Sequence, residues 1–184
     1  MKVSLVKNIS DDQIIRDWSL TKEDRSFLLK ISKKYRSYVA VQLCCLKIYG
    51  RFSNQLSDLS HEVIFYINNQ LDLPTALQVI KPERKATYLE YRKLIFGHLN
   101  FSKFDNSSKD LLQHWIAEKG SLSLHAEDLC EEAKYYLISK RIILPSKDQL
   151  QRFINSICSN YHQSIFEKVN SQIGVLCRKV RNFR

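Results

Sequence analysis

The 184-residue chain has only four glycines and three prolines. Both residues punctuate tight turns, so their scarcity argues against many short strands and for long helices. No run of strict apolar–polar alternation stands out, whereas helical periodicity recurs throughout. Long apolar runs are missing as well. Nothing approaches the roughly 20 residues needed to span a bilayer. The N-terminal MKVSLVKNISDDQ meets Asp11 and Asp12 before an apolar core of signal-peptide length can form. These absences lead us to expect a soluble, cytoplasmic chain with no membrane partner, long enough to bury a core of its own.

The usual marks of catalytic or metal chemistry are also lacking. The five cysteines, Cys44, Cys45, Cys130, Cys158 and Cys177, are odd in number and contain no C-x-x-C pair. Zinc sites need ligand pairs at short, repeated spacing. Neighbouring residues on a helix point about 100° apart, so Cys44 and Cys45 do not converge on one ion. They read as reduced, small core hydrophobes. Gly50, Gly97, Gly120 and Gly174 lie too far apart for a phosphate loop. The five histidines are scattered and form no H-E-x-x-H. Glu127, Asp128, Glu131 and Glu132 cluster in the first turns of a helix, where the dipole favours anions. We therefore expect no catalytic residues, no metal and no cofactor; an enzyme with a dispersed site stays open only as a third reading.

What the chain does have is positive charge at both ends. The net charge is +10. Residues 1–60 carry 11 Lys/Arg against 6 Asp/Glu, and residues 141–184 carry 8 against 2. Residues 61–105 are near neutral, with 6 against 5, and residues 106–140 are acidic, with 4 against 6. Such an excess favours a polyanionic partner.

The periodicity predicts an all-α protein. A short helix fits Asp11 to Trp18 after Ser10. LTKED offers Thr21 and Asp24 as a capping box for the next. The stretch VQLCCLKIYGRF (41–52) is apolar nearly all round, which marks a central helix, and Gly50 suits a left-handed terminating residue. Phe52 is expected to fold back on the core. A fourth helix is predicted from about His61 to Leu71, and a short one at Pro74. A longer helix should open at Pro82, with Tyr88, Tyr91, Ile95 and Leu99 inward and Arg84, Arg92 and Lys93 off that stripe. A further helix should end at Gly120, and another carries Ala126, Leu129, Cys130, Ala133 and Leu137 inward. After Pro145, Ser146 and Gln149 should cap a last helix reaching the 170s, with Leu150, Ile154, Ile157, Tyr161 and Ile165 on its apolar face. The expected organisation is an arm and short helix (1–20), a helical subdomain (21–105), a second one (106–175) and a basic tail (176–184). Each subdomain is expected to present a helix-turn-helix-like unit.

Three basic clusters interleave with aromatics. KKYRSY supplies Lys33, Lys34 and Arg36; RKATYLEYRK supplies Arg84, Lys85 and Arg92; SKRIILPSK supplies Arg141 and Lys147. Arg51 follows Gly50. Lys and Arg attract phosphates, and helix N-termini add backbone donors. These nine are the candidate DNA-binding residues, mostly as phosphate contacts. The alternative for each cluster is a solvated face, and for Arg51 a structural pair.

Four segments, in order, resemble the N-terminal domain of Tn-three-type replicative transposases. LTKEDRSFL (20–28) resembles that family's "LT-x-E" helix. VQLCCLKIYGRF is close to its "LQLC-x-L-(R/K)-x-x-GRF". TYLEYRKLIFGHLNFSKFD (87–105) and YYLISKRIILPSKDQLQRF (135–153) are looser matches to two later motifs. Tyr91 stands where the family usually has His, Asn100 where it has Gly, and Lys103 replaces an Arg-Pro flavour. Asn tolerates a left-handed backbone, so that turn can survive. The resemblance implies a non-catalytic fragment that binds the terminal inverted repeats of double-stranded DNA, in a cytoplasmic, nucleoid-associated setting. The family's catalytic carboxylate triad lies in a C-terminal part. The alternative is a truncated regulator or interaction module that self-associates or pairs with full-length transposase. Its surface would be the acidic 106–140 segment and the last helix.

Overall fold

A computed structural model describes residues 9–54, 59–74, 79–118 and 126–181; within the last helix, side chains are described through 170 and at Ile173. The expected short helix at Pro74 and the expected stop at Gly120 lie outside these residues, as do the side chain of Cys177, the first eight residues and the last three. Eight helices occur among the described residues: α1 Asp11–Trp18, α2 Lys22–Leu29, α3 Lys33–Tyr49, α4 His61–Gln70, α5 Lys85–Leu99, α6 Asn106–Glu118, α7 Ala126–Ser139 and α8 Lys147–Arg181. The only β-type pairing among the described residues is an isolated parallel bridge between Ser102 and Ile142. The protein is all-α. No helix among the described residues is long and apolar enough to cross a membrane.

Two compact units are formed: Met1–Ser102 with Arg141–Ile143, and Lys103–Lys140 with Leu144–Arg184. The first is organised by α3. Every residue from Ser37 to Leu46 is buried, so this helix contributes no solvent face over nearly three turns. Trp18, Leu28, Val63, Ile67, Ile95 and Leu99 close around it from α1, α2, α4 and α5. Full burial of each large aliphatic side chain stabilises by roughly 1.5–3 kcal/mol, which makes α3 the energetic centre of the unit. Its end is set by Gly50 at φ 61°, whose N–H returns to the Leu46 carbonyl. The chain then folds back: the Gln42 side chain exchanges two hydrogen bonds with the Ser53 backbone, at 2.9 and 3.0 Å. Phe52 meets Phe96 edge to face.

Side-chain caps define several helix starts, and those at Ser10, Thr21 and Ser146 fall where the sequence suggests. Ser10 and Thr21 both complete capping boxes, with Gln13 and Asp24. Ser60 accepts from the Val63 N–H, and Ser146 from the Gln149 N–H. Two predictions need correction. Helix α5 begins at Lys85, not at Pro82, which is itself buried. Helix α8 extends to Arg181, past the 170s; Leu150 and Ile154 are buried in it, but Tyr161 and Ile165 are exposed.

In the second unit α7 packs along α8. Leu112, Ile116, Leu129, Cys130, Ala133, Leu137, Leu144, Leu150 and Ile154 are among its buried residues. Trp115 stacks on Tyr136 with centroids 4.5 Å apart, and Phe104 meets Phe153 at 6.2 Å.

Candidate nucleic-acid interface

The nine candidate residues divide by what the fold does with them. Lys33 and Lys34 are exposed in the first turn of α3, with the Lys34 ammonium over the Tyr35 ring at 5.3 Å. Arg84 is the exposed N-cap residue of α5, and Lys85 opens that helix. Lys147 is exposed at the start of α8.

Of the other four, Arg36, Arg51 and Arg92 are partly buried, and Arg141, although exposed, is tied back to the backbone. Arg36 spends its guanidinium on the end of α2. Its Nε donates to the Leu28 carbonyl at 3.0 Å, and its Nη2 to the Leu29 and Ile31 carbonyls at 3.2 Å. The last carbonyls of a helix have no partner within the helix, and here one side chain satisfies several. Arg92 lies between two rings, 4.6 Å from the Phe52 centroid and 4.3 Å from that of Tyr88, and donates to Asn54 Oδ1. It is therefore not off the inward stripe of α5, as its spacing suggests. Arg141 has a left-handed backbone at φ 55°. Its carbonyl accepts from the Ser102 N–H at 2.8 Å, and its Nη1 donates to the Leu99 carbonyl at 3.2 Å. Arg51 is half-buried, and that burial pulls its guanidinium pKa down.

Helix N-termini differ in their electrostatics. Helices α1, α2 and α4 each have an acidic residue in the first turn and a side-chain cap. Helices α3 and α5 have neither, and both start with lysine. The positive end of the helix dipole is thus left uncompensated and is reinforced by Lys33, Lys34, Arg84 and Lys85. An anion is what such ends accommodate.

A family model, described as "Domain of unknown function (DUF4158)", matches residues 3–157. The chain belongs to this family. The DUF4158 match takes in α1 to α7 and the first turns of α8, so both uncapped basic helix starts fall inside it. The exposed apolar residues of α8 from Tyr161 onward lie beyond it. No curated protein matches the chain.

One polar cluster escaped the sequence reading. Asp24 is 2% exposed and gathers three donors. Lys47 Nζ from α3 donates to Oδ2, His98 Nε2 from α5 pairs with Oδ1 at 2.9 Å, and the Thr21 N–H donates at 3.0 Å. Burial alone would raise the pKa of this carboxyl. The hydrogen bonds from Lys47, His98 and Thr21 outweigh that and hold it below its ordinary value. His98 also stacks flat on Phe27 at 4.3 Å. The only sequence signal was Asp24 itself, in its capping position; Lys47 and His98 are 23 and 74 residues away. Lys81, whose ammonium sits over Tyr88 at 5.3 Å, was missed too. Cys44 and Cys45 are buried in α3, and burial pushes both thiols up to about 12. They stay protonated at neutral pH, which suits packing and not thiolate chemistry.

Proposed function

We propose that this DUF4158 domain recognises the terminal inverted repeats of a mobile element, as the non-catalytic N-terminal domain of a Tn-three-type transposase acting on DNA at the nucleoid. The observation that carries this reading is the pair of uncapped, lysine-bearing N-termini of α3 and α5, against the acidic, capped starts of α1, α2 and α4. A phosphate supplies the missing negative charge at such ends. The resemblance of VQLCCLKIYGRF to the family motif supports the same reading, since that motif forms the buried half of α3 and its Gly50 turn.

The test is binding to a duplex bearing an inverted repeat and to a scrambled duplex across a salt series. With Arg36, Arg92 and Arg141 engaged in the fold, about five exposed candidates remain for phosphates. Each contributes a slope of about −0.9, so affinity should fall roughly 10²–10³-fold between 50 and 200 mM salt. A flat response would refute the proposal.

A second reading, an interaction module, draws on one observation. Helix α8 exposes Tyr161, Ile165, Phe166, Val169 and Ile173. A mass that rises with concentration, without DNA affinity, would favour it.

A further inference from the structure

Helix α5 is laid on its unit by one side only. Of its 15 residues, Ile95 and Leu99 alone are buried. Its inner flank is fixed by rings and charge: Tyr91 against Tyr35 at 5.8 Å, Arg92 between Phe52 and Tyr88, Phe96 against Phe52 at 5.5 Å, and His98 on Phe27 and Asp24. The opposite side is a continuous solvent face of Lys85, Ala86, Leu89, Glu90, Lys93, Leu94 and Gly97. Leu89 and Leu94 are 51% and 41% exposed.

Three features of this face bear on its occupant. Charge is the first: the face carries Lys85 and Lys93 against Glu90, exposed Lys81 and Arg84 against Glu83 lie just ahead of it, and the helix start lacks an acid. Shape is the second. A 15-residue helix is about 22 Å long, and a major groove about 12 Å wide admits one. Gly97 is the third. A methyl at Gly97 would meet no atom within 4 Å, so packing inside the protein gives no reason for glycine there. Glycine inside a helix destabilises it relative to alanine, and one of its uses is close approach of the backbone to a ligand.

We propose that the solvent face of α5 lies in the major groove of duplex DNA and reads bases there; this rests on the DNA-binding reading above. Glu90 supplies an acceptor suited to the cytosine amine. Leu89, Leu94 and Ala86 supply apolar contacts suited to thymine methyls. Lys85 and Lys93 reach guanine edges or the flanking phosphates. Gly97 lets the helix end seat closely.

The experiment is selection by the full chain from a pool of duplexes with a randomised core, repeated with Leu89→Ala, Glu90→Ala, Lys93→Ala and Gly97→Ala. All four positions are exposed, and circular dichroism checks that each variant folds. The parent should enrich a motif in a salt-sensitive manner. Leu89→Ala and Glu90→Ala should change the preferred base at particular positions, with discrimination there falling on the order of 10- to 100-fold. Lys93→Ala should weaken binding to every duplex alike or relax a guanine. Gly97→Ala should raise the melting temperature by ~2–4 °C while weakening DNA binding. If the Leu89 and Glu90 variants enrich the parental motif with unchanged discrimination, α5 does not read bases, and the DNA-binding reading survives without it. Should the parent bind DNA with no enriched motif, base reading by α5 is likewise overturned. A parent that binds no duplex at any salt overturns both readings. Self-association abolished by the same variants would then assign the face to protein.

Discussion

Removing the carboxylate of Asp24 tests the reading of this residue as the polar joint of the first unit. The side chain is almost fully buried and ties the start of α2 to the ends of α3 and α5. Asp24→Ala removes a capping bond to the Thr21 N–H, worth about 1 kcal/mol. It also removes two hydrogen bonds to a charged carboxylate, from Lys47 and His98, each about 1.5–3 kcal/mol. Two terms offset this. The desolvation of the carboxylate disappears, and Lys47, 32% exposed, can turn to water. The balance is a loss of about 3–5 kcal/mol, as for other broken buried pairs. Asp24→Asn keeps an acceptor for Thr21 and should cost about half of that. The assay is urea unfolding followed by the fluorescence of Trp18, which is buried in the same unit, in a Trp115→Phe background. The pH dependence gives a second readout. Because the folded pKa of Asp24 is held below the unfolded value, its contribution is complete above about pH 4 and is lost as the pH falls through the folded pKa. Asp24→Ala should therefore flatten the acid limb of the stability curve. A loss under about 1 kcal/mol, or an unchanged acid limb, would refute the reasoning.

Three further outcomes are expected. Arg36→Ala should cost roughly 1.5–3 kcal/mol, because it removes three hydrogen bonds and leaves the carbonyls of Leu29 and Ile31 without that donor, while Leu28 keeps the Ile31 N–H; the salt slope of DNA binding should not change, which titration at several ionic strengths checks. Gly50→Ala should cost about 1–2 kcal/mol in urea unfolding, since its φ of 61° is strained for any residue with a Cβ. Arg92→Lys should lose about 1 kcal/mol by the same assay, because an ammonium cannot fill the plane between Phe52 and Tyr88 as a guanidinium does.

The elements legible in the sequence are those whose cause is local. An apolar run around the whole circumference of residues 39–46 has no place but a core, and α3 is buried there. Serine and threonine caps announce α1, α2 and α8 because the capping bond spans only three residues. Asn100 takes the left-handed position at φ 54° that ends α5. Arg141 takes the same conformation with no local signal, since its reason is the distant strip at Ser102 and Leu99. Helix α5 starts late because Arg84, extended at ψ 124°, delays it, and nothing in PERK announces that. The candidate site was half legible for a related reason. Spacing identifies a basic residue, but only the tertiary fold says whether a carbonyl or a ring lies within reach of it.

That distinction sorts the cations by chemistry. The guanidinium groups of Arg36, Arg92 and Arg141 are bound to backbone carbonyls or held between rings. Lys33, Lys34, Lys85 and Lys147 stay exposed, as does Arg84. The arginine head is planar, weakly hydrated and carries five donors, so it can enter a half-buried setting and satisfy several acceptors at once; the ammonium is a strongly hydrated point charge, and Lys47 turns inward only where the Asp24 carboxylate meets it. Lysines that remain outside attract any phosphate backbone and distinguish no sequence. If the domain recognises a particular DNA end, discrimination must come from side chains with directional or shape-specific contacts on a rigid element. Among the helices of the first unit, α5 combines such a face with a seat fixed by four ring contacts. Lysine substitutions at α3 and α5 should therefore change how tightly DNA is held, and substitutions at Leu89 and Glu90 which DNA is held.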